Sequence, residues 1–345
     1  MSDAGQKMPQ GRAAIAPATP AQLPRRLMLP AWTMSVGPLA ALLTLVLYNA
    51  LFTHNFLSGQ VLRSNLTQVA TIVIVATGMT LVIATGGIDL SVGSLMAISG
   101  ALAPLIFLSR RAPLDRPIVG ITLAFIVPLL VTMCLGLVNG TLVTAFRLQP
   151  IIATLVLYLS GRGIAQVLTN GRLQEFHNPN FQYIGRGEIS GIRFQIILML
   201  VVVAIVAWVM RATTFGRYVL ATGDNEPAAR LAGVPVERVK MAVYALSGLL
   251  AGIAGLIVIA INSSSDANNV GQLKELDAIA AVAVGGTPLT GGRASVVGTL
   301  VGALIIQLLR YTLLAHGISD AIARVVIGSA IVVAVLVQRR GATSR

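Results

Sequence analysis

Residues Ser64–Ile88 read SNLTQVATIVIVATGMTLVIATGGI and contain no Lys, Arg, Asp or Glu. A bilayer core about 30 Å thick is crossed by about 20 helical residues, so this stretch is long enough to span it. One such run could be a buried core helix, but the chain repeats the pattern. The other charge-free runs are Leu27–Leu62, Leu90–Ser109, Pro117–Phe146, Phe194–Met210 and Met241–Ser265. A soluble domain of 345 residues cannot bury six such runs, so the sequence predicts a multi-spanning membrane protein.

The composition favours helices as the spanning elements. Hydrophobic residues make up 55% of the chain and the mean hydropathy is +0.83. Backbone groups in lipid must bond within the protein, and the apolar runs are continuous rather than alternating, so helices are favoured over barrel strands. We predict an all-α polytopic protein of about ten transmembrane helices, with both termini cytoplasmic. The predicted helices lie near residues 34–53, 65–85, 90–109, 118–138, 149–168, 194–211, 240–261, 276–288, 294–314 and 320–338.

Charge and motif content exclude several classes of function. The net charge of +13 comes from basic residues spread over loops and tails without a nucleic-acid-reading motif, so contact with anionic lipid and a positive-inside bias explain it. The three histidines lie in separate loops, so no metal centre and no cofactor are predicted. Gly286–Arg293 (GTPLTGGR) has the glycine spacing of a phosphate loop but lacks its Lys-Ser/Thr pair, so any ATP hydrolysis falls to another subunit.

The hydrophilic stretch Thr213–Lys240 predicts a short helix between two spans. Asp224 or Asn225 can cap its start, Glu226 and Pro227 fit its first turn, and Gly233 can end it in a left-handed conformation. A short capped helix on the cytoplasmic side suits docking against a soluble partner, and its length and paired stop signals favour docking over an ordinary surface loop.

An internal similarity links two glycine-rich segments that each interrupt apolar runs. Gly86–Gly93 (GGIDLSVG) aligns with Gly285–Gly292 (GGTPLTGG), and both are predicted to lie on the same side of the membrane. Transporters are often built from internal repeats with broken helices near the substrate path, but a pair of similar tight turns explains the pattern equally well.

Four motifs in order resemble the membrane permeases of bacterial sugar-importing ABC transporters, the family of ribose, xylose and arabinose permeases. They are GMTLVIATGGIDLSVG (Gly78–Gly93), TFGR (Thr214–Arg217), AARLAGV (Ala228–Val234) and ELDAIAAVAVGGTPLTGGR (Glu275–Arg293). The resemblance covers about residues 35–338. A finer similarity, in SDANNVG (Ser265–Gly271) and Thr154–Gly171, is to a permease of the galactofuranose importer.

The resemblance implies a type II importer-like permease that carries no chemistry itself and belongs to an ATP-driven, binding-protein-dependent importer of a monosaccharide, galactofuranose or a related sugar. Its expected partners are a cytoplasmic ATP-binding subunit, a periplasmic sugar-binding protein and a second permease, identical or paralogous, within the bacterial inner membrane. The expected organisation is a disordered cytoplasmic N-terminus (1–30), a transmembrane domain (31–338) containing an ATPase-coupling loop (212–239), and a cytoplasmic tail (339–345). The expected coupling residues are Gly216, Arg217, Gly223, Glu226, Ala228, Ala229, Arg230 and Gly233.

Candidates for the substrate path are polar or ionisable residues at membrane depth, where burial is costly. They are Asn65, Gln68, Asp89, Ser91, Arg162, Asn170, Asp277 and Thr290. Asp89 can instead cap the third helix, and Arg162 faces either the pore or a carboxylate such as Asp89 or Asp277. A pentose permease, a branched-chain amino-acid permease of the same broad fold and an ion-coupled secondary transporter are the alternative functions.

Overall fold

The computed structural model describes residues 33–109 and 117–343, with side chains from 37 to 332 outside that gap. Over this part of the chain it contains thirteen α-helices and four two-residue strands. The helices are α1 (Thr33–Phe52), α2 (Gly59–Ala84), α3 (Val92–Phe107), α4 (Pro117–Thr144), α5 (Pro150–Thr169), α6 (Pro179–Arg186), α7 (Phe194–Ala212), α8 (Thr214–Asp224), α9 (Glu226–Leu231), α10 (Val236–Asn262), α11 (Lys274–Val284), α12 (Val296–Ala315) and α13 (Asp320–Thr343). The strands are β1 (Gln174–Glu175), β2 (Glu188–Ile189), β3 (Ile192–Arg193) and β4 (Ser264–Ser265), paired antiparallel as β1 with β4 and β2 with β3.

Each of the ten predicted segments coincides with a helix, but the count of ten crossings is not confirmed. Six described helices, α2, α4, α5, α7, α10 and α12, are long and apolar enough to cross a membrane. The chain adds α6, α8 and α9, and α10 begins at Val236 rather than near residue 240. The predicted loop 212–239 is therefore largely helical. The predicted disorder of residues 1–30 lies outside the described residues, and α13 continues to Thr343, past the predicted boundary at 338.

The centre of the fold is α10, which packs against α2, α3 and α4. Glycines bring α4 and α10 unusually close: a Cβ atom on Gly140 would lie 2.8 Å from the Cα of Met241. One on Gly248 would overlap the carbonyl group of Thr132, and one on Gly252 would overlap the Thr132 side chain. The predicted packing role of Gly248 and Gly252 is confirmed, since small residues let helix backbones approach in lipid.

Several polar side chains inside the spans bond to backbone or to one another. Thr80 donates to the carbonyl of Ala76 at 2.7 Å and shares a 2.7 Å hydroxyl contact with Thr299, which joins α2 to α12. The Asn49 amide donates to the Thr312 hydroxyl at 2.7 Å, which joins α1 to α12. Such bonds hold helices together where burying apolar surface gains nothing over lipid.

The bundle has two ends that its contacts define. The α9 end contains α8, α9, the α2–α3 turn (85–91), the α4–α5 turn (145–149) and the α11–α12 segment (285–295). The α6 end contains α6, the four strands, the start of α2 and the ends of α10 and α12. There, the Arg186 guanidinium donates to the carbonyl of Ile261 at 2.8 Å, and Arg63 pairs with Glu188 at 3.0 Å.

The chain returns into the bundle between α10 and α11. After β4, residues 266–273 turn inward, and a Cβ atom on Gly271 would lie 2.8 Å from the Cβ of Met96 on α3. Helix α11 starts from this interior position. Its 11 residues reach about 16 Å, roughly half of a bilayer core. The span predicted near 276–288 is therefore a half-length helix preceded by irregular backbone.

Candidate functional site

The α9 helix forms as its sequence predicts. Asn225 caps it, its side-chain oxygen accepting from the backbone N–H of Ala228 at 3.0 Å. Pro227 lies in the first turn, and Gly233 follows the helix with φ of 81°. The predicted capped helix is confirmed, with Asn225 rather than Asp224 as the cap.

An ion-pair network fixes α9 to the start of α10. Glu226 accepts from Lys240 at 2.6 Å and from Arg230 at 2.7 Å, and Arg230 also contacts Glu237. Partial burial acts to raise the pKa of Glu226, but the hydrogen bonds from Lys240 and Arg230 outweigh it and hold that pKa below its ordinary value. The network ties the short helix to α10, the helix at the centre of the fold.

The outer face of α9 is exposed and carries an apolar side chain. Leu231 is 91% exposed, whereas Ala229 on the opposite face is buried. A leucine gains nothing in water from such a position, so this face is suited to a protein partner. The sequence prediction missed Leu231, although it is the one large apolar residue of α9 and is visible in the sequence.

The two glycine-rich segments meet beside the helix that precedes α9. The N–H of Gly292 donates to the carbonyl of Ala84 at 3.0 Å. A Cβ atom on Gly223 would lie 2.6 Å from the nitrogen of Gly292, and one on Gly291 would lie 2.7 Å from the nitrogen of Gly86. The prediction that both segments lie on the same side of the membrane domain is confirmed, and α8 packs directly against them.

The alignment of the two segments is wrong by one residue. Helices α2 and α11 both end with a left-handed glycine, Gly86 (φ 80°) and Gly286 (φ 88°). The next residues, Gly87 and Thr287, donate to the carbonyls of Val82 and Val282. This shared helix-ending geometry pairs Gly86 with Gly286 rather than with Gly285, because both occupy the left-handed position that follows the end of a helix.

The α6 end contains a polar cavity of about 220 Å³. Its walls come from α2, α10, α11 and α12, and its polar lining is Thr67, Gln68, Thr71, Asn262, Lys274, Gln307 and Arg310. The Gln307 amide donates to the side-chain oxygens of Asn65 at 3.2 Å and Gln68 at 3.0 Å. The structure thus brings two predicted path residues together through Gln307, which the prediction missed despite its position inside an apolar run.

Asp89 and Ser91 lie in a different place, buried between α3, α4 and α10. One Asp89 oxygen accepts from the Ser91 N–H at 3.0 Å and hydroxyl at 2.6 Å, and the other accepts from Ser247 at 2.8 Å. Asn139 donates to the Ser91 hydroxyl at 2.9 Å. Ser91, not Asp89, is the residue that directly precedes α3, so Asp89 supports that helix start from two residues away.

Arg162 contacts neither carboxylate suggested for it. Its guanidinium donates to the carbonyls of Ala267 at 2.9 Å and Val270 at 2.6 Å, and so ties α5 to the inward-turning segment 266–273. Beside it, Gln166 donates to the side-chain oxygen of Asn268 at 2.7 Å on an exposed surface. Arg162 and Gln166 lie on the spanning helix α5 and are half-buried, whereas Asn268 belongs to segment 266–273 and is exposed.

The remaining predicted residues are dispersed. Asn170 ends α5 in a left-handed conformation, Asp277 pairs with Lys274 at 2.9 Å, and Thr290 is exposed beside Gly86. Among the predicted coupling residues, Gly216 is buried against Met210 and Arg217 is exposed. The predicted path residues therefore do not form one site.

Comparison with known proteins identifies the family to which the chain belongs. The family model described as "Branched-chain amino acid transport system / permease component" matches residues 61–336. The ribose import permease protein RbsC of Escherichia coli (strain K12) is 40% identical over 324 residues, covering 92% of this chain and 97% of the relative. The galactofuranose transporter permease protein YtfT of the same strain is 38% identical over 316 residues, covering 89% and 90%.

A third relative, the fructose import permease protein FruF of Bifidobacterium longum, is 37% identical over 295 residues, covering 81% of each chain. No solved structure matches the chain. The family match covers most of the sequence and agrees with the six apolar helices. The resemblance drawn from the motifs is thus confirmed, and the chain belongs to the family of ABC-importer permeases.

Proposed function

We propose that this protein is the transmembrane subunit of an ATP-driven, binding-protein-dependent monosaccharide importer. The observation that carries the proposal is α9, a capped helix that is ion-paired to α10 and presents Leu231 to solvent. A separate cytoplasmic subunit hydrolyses ATP and docks on this helix. The α9 end is then cytoplasmic, and the α6 end faces a periplasmic sugar-binding protein.

The cavity at the α6 end supports a neutral, hydroxyl-rich substrate. Its amide groups on Gln68, Asn262 and Gln307 offer donors and acceptors without net charge. Both cations in its lining are paired, Lys274 with Asp277 and Arg310 with Asp320 at 2.6 Å. The relatives act on ribose, galactofuranose and fructose by name at nearly equal identity, so we propose a monosaccharide without choosing among them.

A second permease completes the path in this proposal. Arg162 and Gln166 of α5, a helix that is apolar enough to cross a membrane, form a polar surface together with Asn268 of segment 266–273, and lipid would leave that surface unsolvated. A second copy, or a paralogue, provides a polar or water-filled boundary there.

A branched-chain amino acid is the second candidate substrate, since the family description names that class. A zwitterion requires two opposed charges or helix ends, whereas the charged groups of the cavity lining are already paired. Uptake by the reconstituted importer, with ribose, galactofuranose, fructose and leucine as competitors, decides between them. Inhibition by vanadate rather than by a protonophore distinguishes ATP-driven from ion-coupled transport.

The docking role is tested by Leu231→Asp. We expect binding of the ATP-binding subunit to fall at least tenfold, because loss of a residue that anchors an interface costs about 2 kcal/mol or more. Leu173→Asp, at another exposed leucine (52%) directly before β1 at the α6 end, is the matched control and is expected to retain binding. Equal binding by both variants, measured in nanodiscs with purified subunit, would exclude α9 as the docking element.

A further inference from the structure

The α9 end carries more positive charge than its own acids neutralise. Its basic residues include Arg147, Arg211, Arg217, Arg230, Arg238, Lys240 and Arg293, and its acids include Asp224, Glu226 and Glu237. Both glutamates are already paired with Arg230 or Lys240. Among the described residues, Arg147, Arg211, Arg217, Arg238 and Arg293 are exposed and form no ion pair.

One of these arginines lies in a groove. A cavity of about 650 Å³ separates the α4–α5 turn from α9 and the start of α10, and its walls include Arg147, Glu226, Arg230, Glu237 and Lys240. The other four charged residues of this lining pair with one another, so Arg147 is the one without an ion-pair partner.

The turn also holds Arg147 in position and surrounds it with apolar surface. Its backbone is left-handed (φ 53°), and the following N–H, of Leu148, donates to the carbonyl of Leu142 at 3.2 Å. The neighbours Phe146 and Leu148 are 68% and 40% exposed. A cation with apolar flanks beside a groove is the composition of a protein interface rather than of a solvated loop.

We infer that this groove is a second docking point for the ATP-binding subunit and that it receives an acidic side chain, which pairs with Arg147. The inference rests on the proposed function and adds the chemistry of the partner. A folded partner that covers Leu231 on α9 also closes the groove, because α9 forms one of its walls. A lipid headgroup at the bilayer surface would cover only the α4–α5 side.

The test compares Arg147→Glu, Arg147→Gln and Arg147→Lys in nanodiscs made of zwitterionic lipid alone. We expect the affinity for the ATP-binding subunit to fall tenfold or more with Glu, to fall less with Gln and to stay near wild type with Lys. The salt dependence of binding should be shallower for Gln than for wild type, because one charge pair is lost. Arg172→Glu, at an exposed arginine of the α6 end without an ion pair, is the control and should bind normally.

The outcomes separate this inference from the proposed function. Normal binding by Arg147→Glu together with loss by Leu231→Asp overturns the acidic contact and leaves α9 docking intact. Normal binding by both variants overturns both. A defect of Arg147→Glu that appears only when anionic lipid is present assigns the groove to lipid and overturns the inference. If Arg147→Glu is not recovered as monodisperse protein, the Gln variant and the salt series decide.

Discussion

The two ends of the molecule differ in the charged and polar groups that they present. At the α9 end, exposed arginines lie among exposed apolar side chains that include Leu231 and Phe146, and the ion pairs of Glu226 hold α9 on α10. At the α6 end, the cavity presents amides and hydroxyls, and the cations in its lining are paired with carboxylates. Unpaired charge and exposed leucine suit a protein surface, whereas neutral donors and acceptors suit a polyhydroxyl ligand. The contrast supports our proposal that one end docks a protein partner and the other contacts the substrate.

Helix α10 runs from one of these ends to the other. Lys240, near the start of α10, holds Glu226 of α9, and Val258, Ile261 and Asn262, at its end, line the cavity. Between them α10 packs on α4 through glycines. A substitution in its middle should therefore affect both ends, and a substitution at one end should affect only that end.

The largest effect is expected from Gly248→Leu, which should disrupt the packing of α10 and so impair both ends of the molecule. Any side chain at Gly248 overlaps the carbonyl of Thr132 on α4, and backbone cannot move aside cheaply. Overpacking of a tight core costs about 1–3 kcal/mol or more. We expect low yield and a lowered unfolding temperature in detergent.

Gly328→Leu is the control for that variant, because no atom lies within 4 Å of a Cβ at this α13 position. It should fold at wild-type yield. Wild-type stability of Gly248→Leu would show that α4 and α10 do not need their close approach.

A smaller effect, confined to one end, is expected from Gln307→Leu. This change removes the donor to Asn65 and Gln68 and leaves the buried Asn65 oxygen unpaired, at a cost of about 1–3 kcal/mol. We expect the KM for sugar uptake to rise about tenfold while the affinity for the ATP-binding subunit is unchanged. Gln195→Leu, which removes another buried amide from α7, should leave the KM unchanged. Loss of subunit binding by Gln307→Leu would show that the ends are not separable.

Local signals in the sequence were sufficient for much of the fold. Charge-free runs predicted the spanning segments because lipid tolerates few charges, and Asn225 with Gly233 marked α9 because capping is a local interaction. The motifs led to the family that the comparison confirmed.

The candidate site was harder to predict, because its contacts join residues far apart in the chain. Gln307 lies 239 residues from Gln68, and Arg162 reaches carbonyls of segment 266–273 rather than a carboxylate. Backbone carbonyls have no sequence signature, so the partners of Arg162 could not be read from residue types. Leu231 could have been noticed, since an apolar residue in a polar loop is visible without coordinates.

The smallest expected effect is a pH-dependent loosening of α9. The pKa of Glu226 lies below its ordinary value in the folded protein, so its ion pairs stabilise the α9–α10 contact above the ordinary carboxyl range near about 4.3 and are lost as pH falls through the lowered pKa. Exposed pairs contribute about 0.2–1 kcal/mol, so the effect on local opening should be about fivefold at most. We expect the accessibility of a cysteine at Ala229, in a Cys134→Ser background, to rise by that factor between pH 5 and pH 3. Adding Glu226→Gln should give the higher accessibility at neutral pH and little further change on acidification. A pH response that survives Glu226→Gln would assign the loosening to another group. In that case, the ion pairs of Glu226 would not be what couples docking at α9 to α10 and the distant cavity.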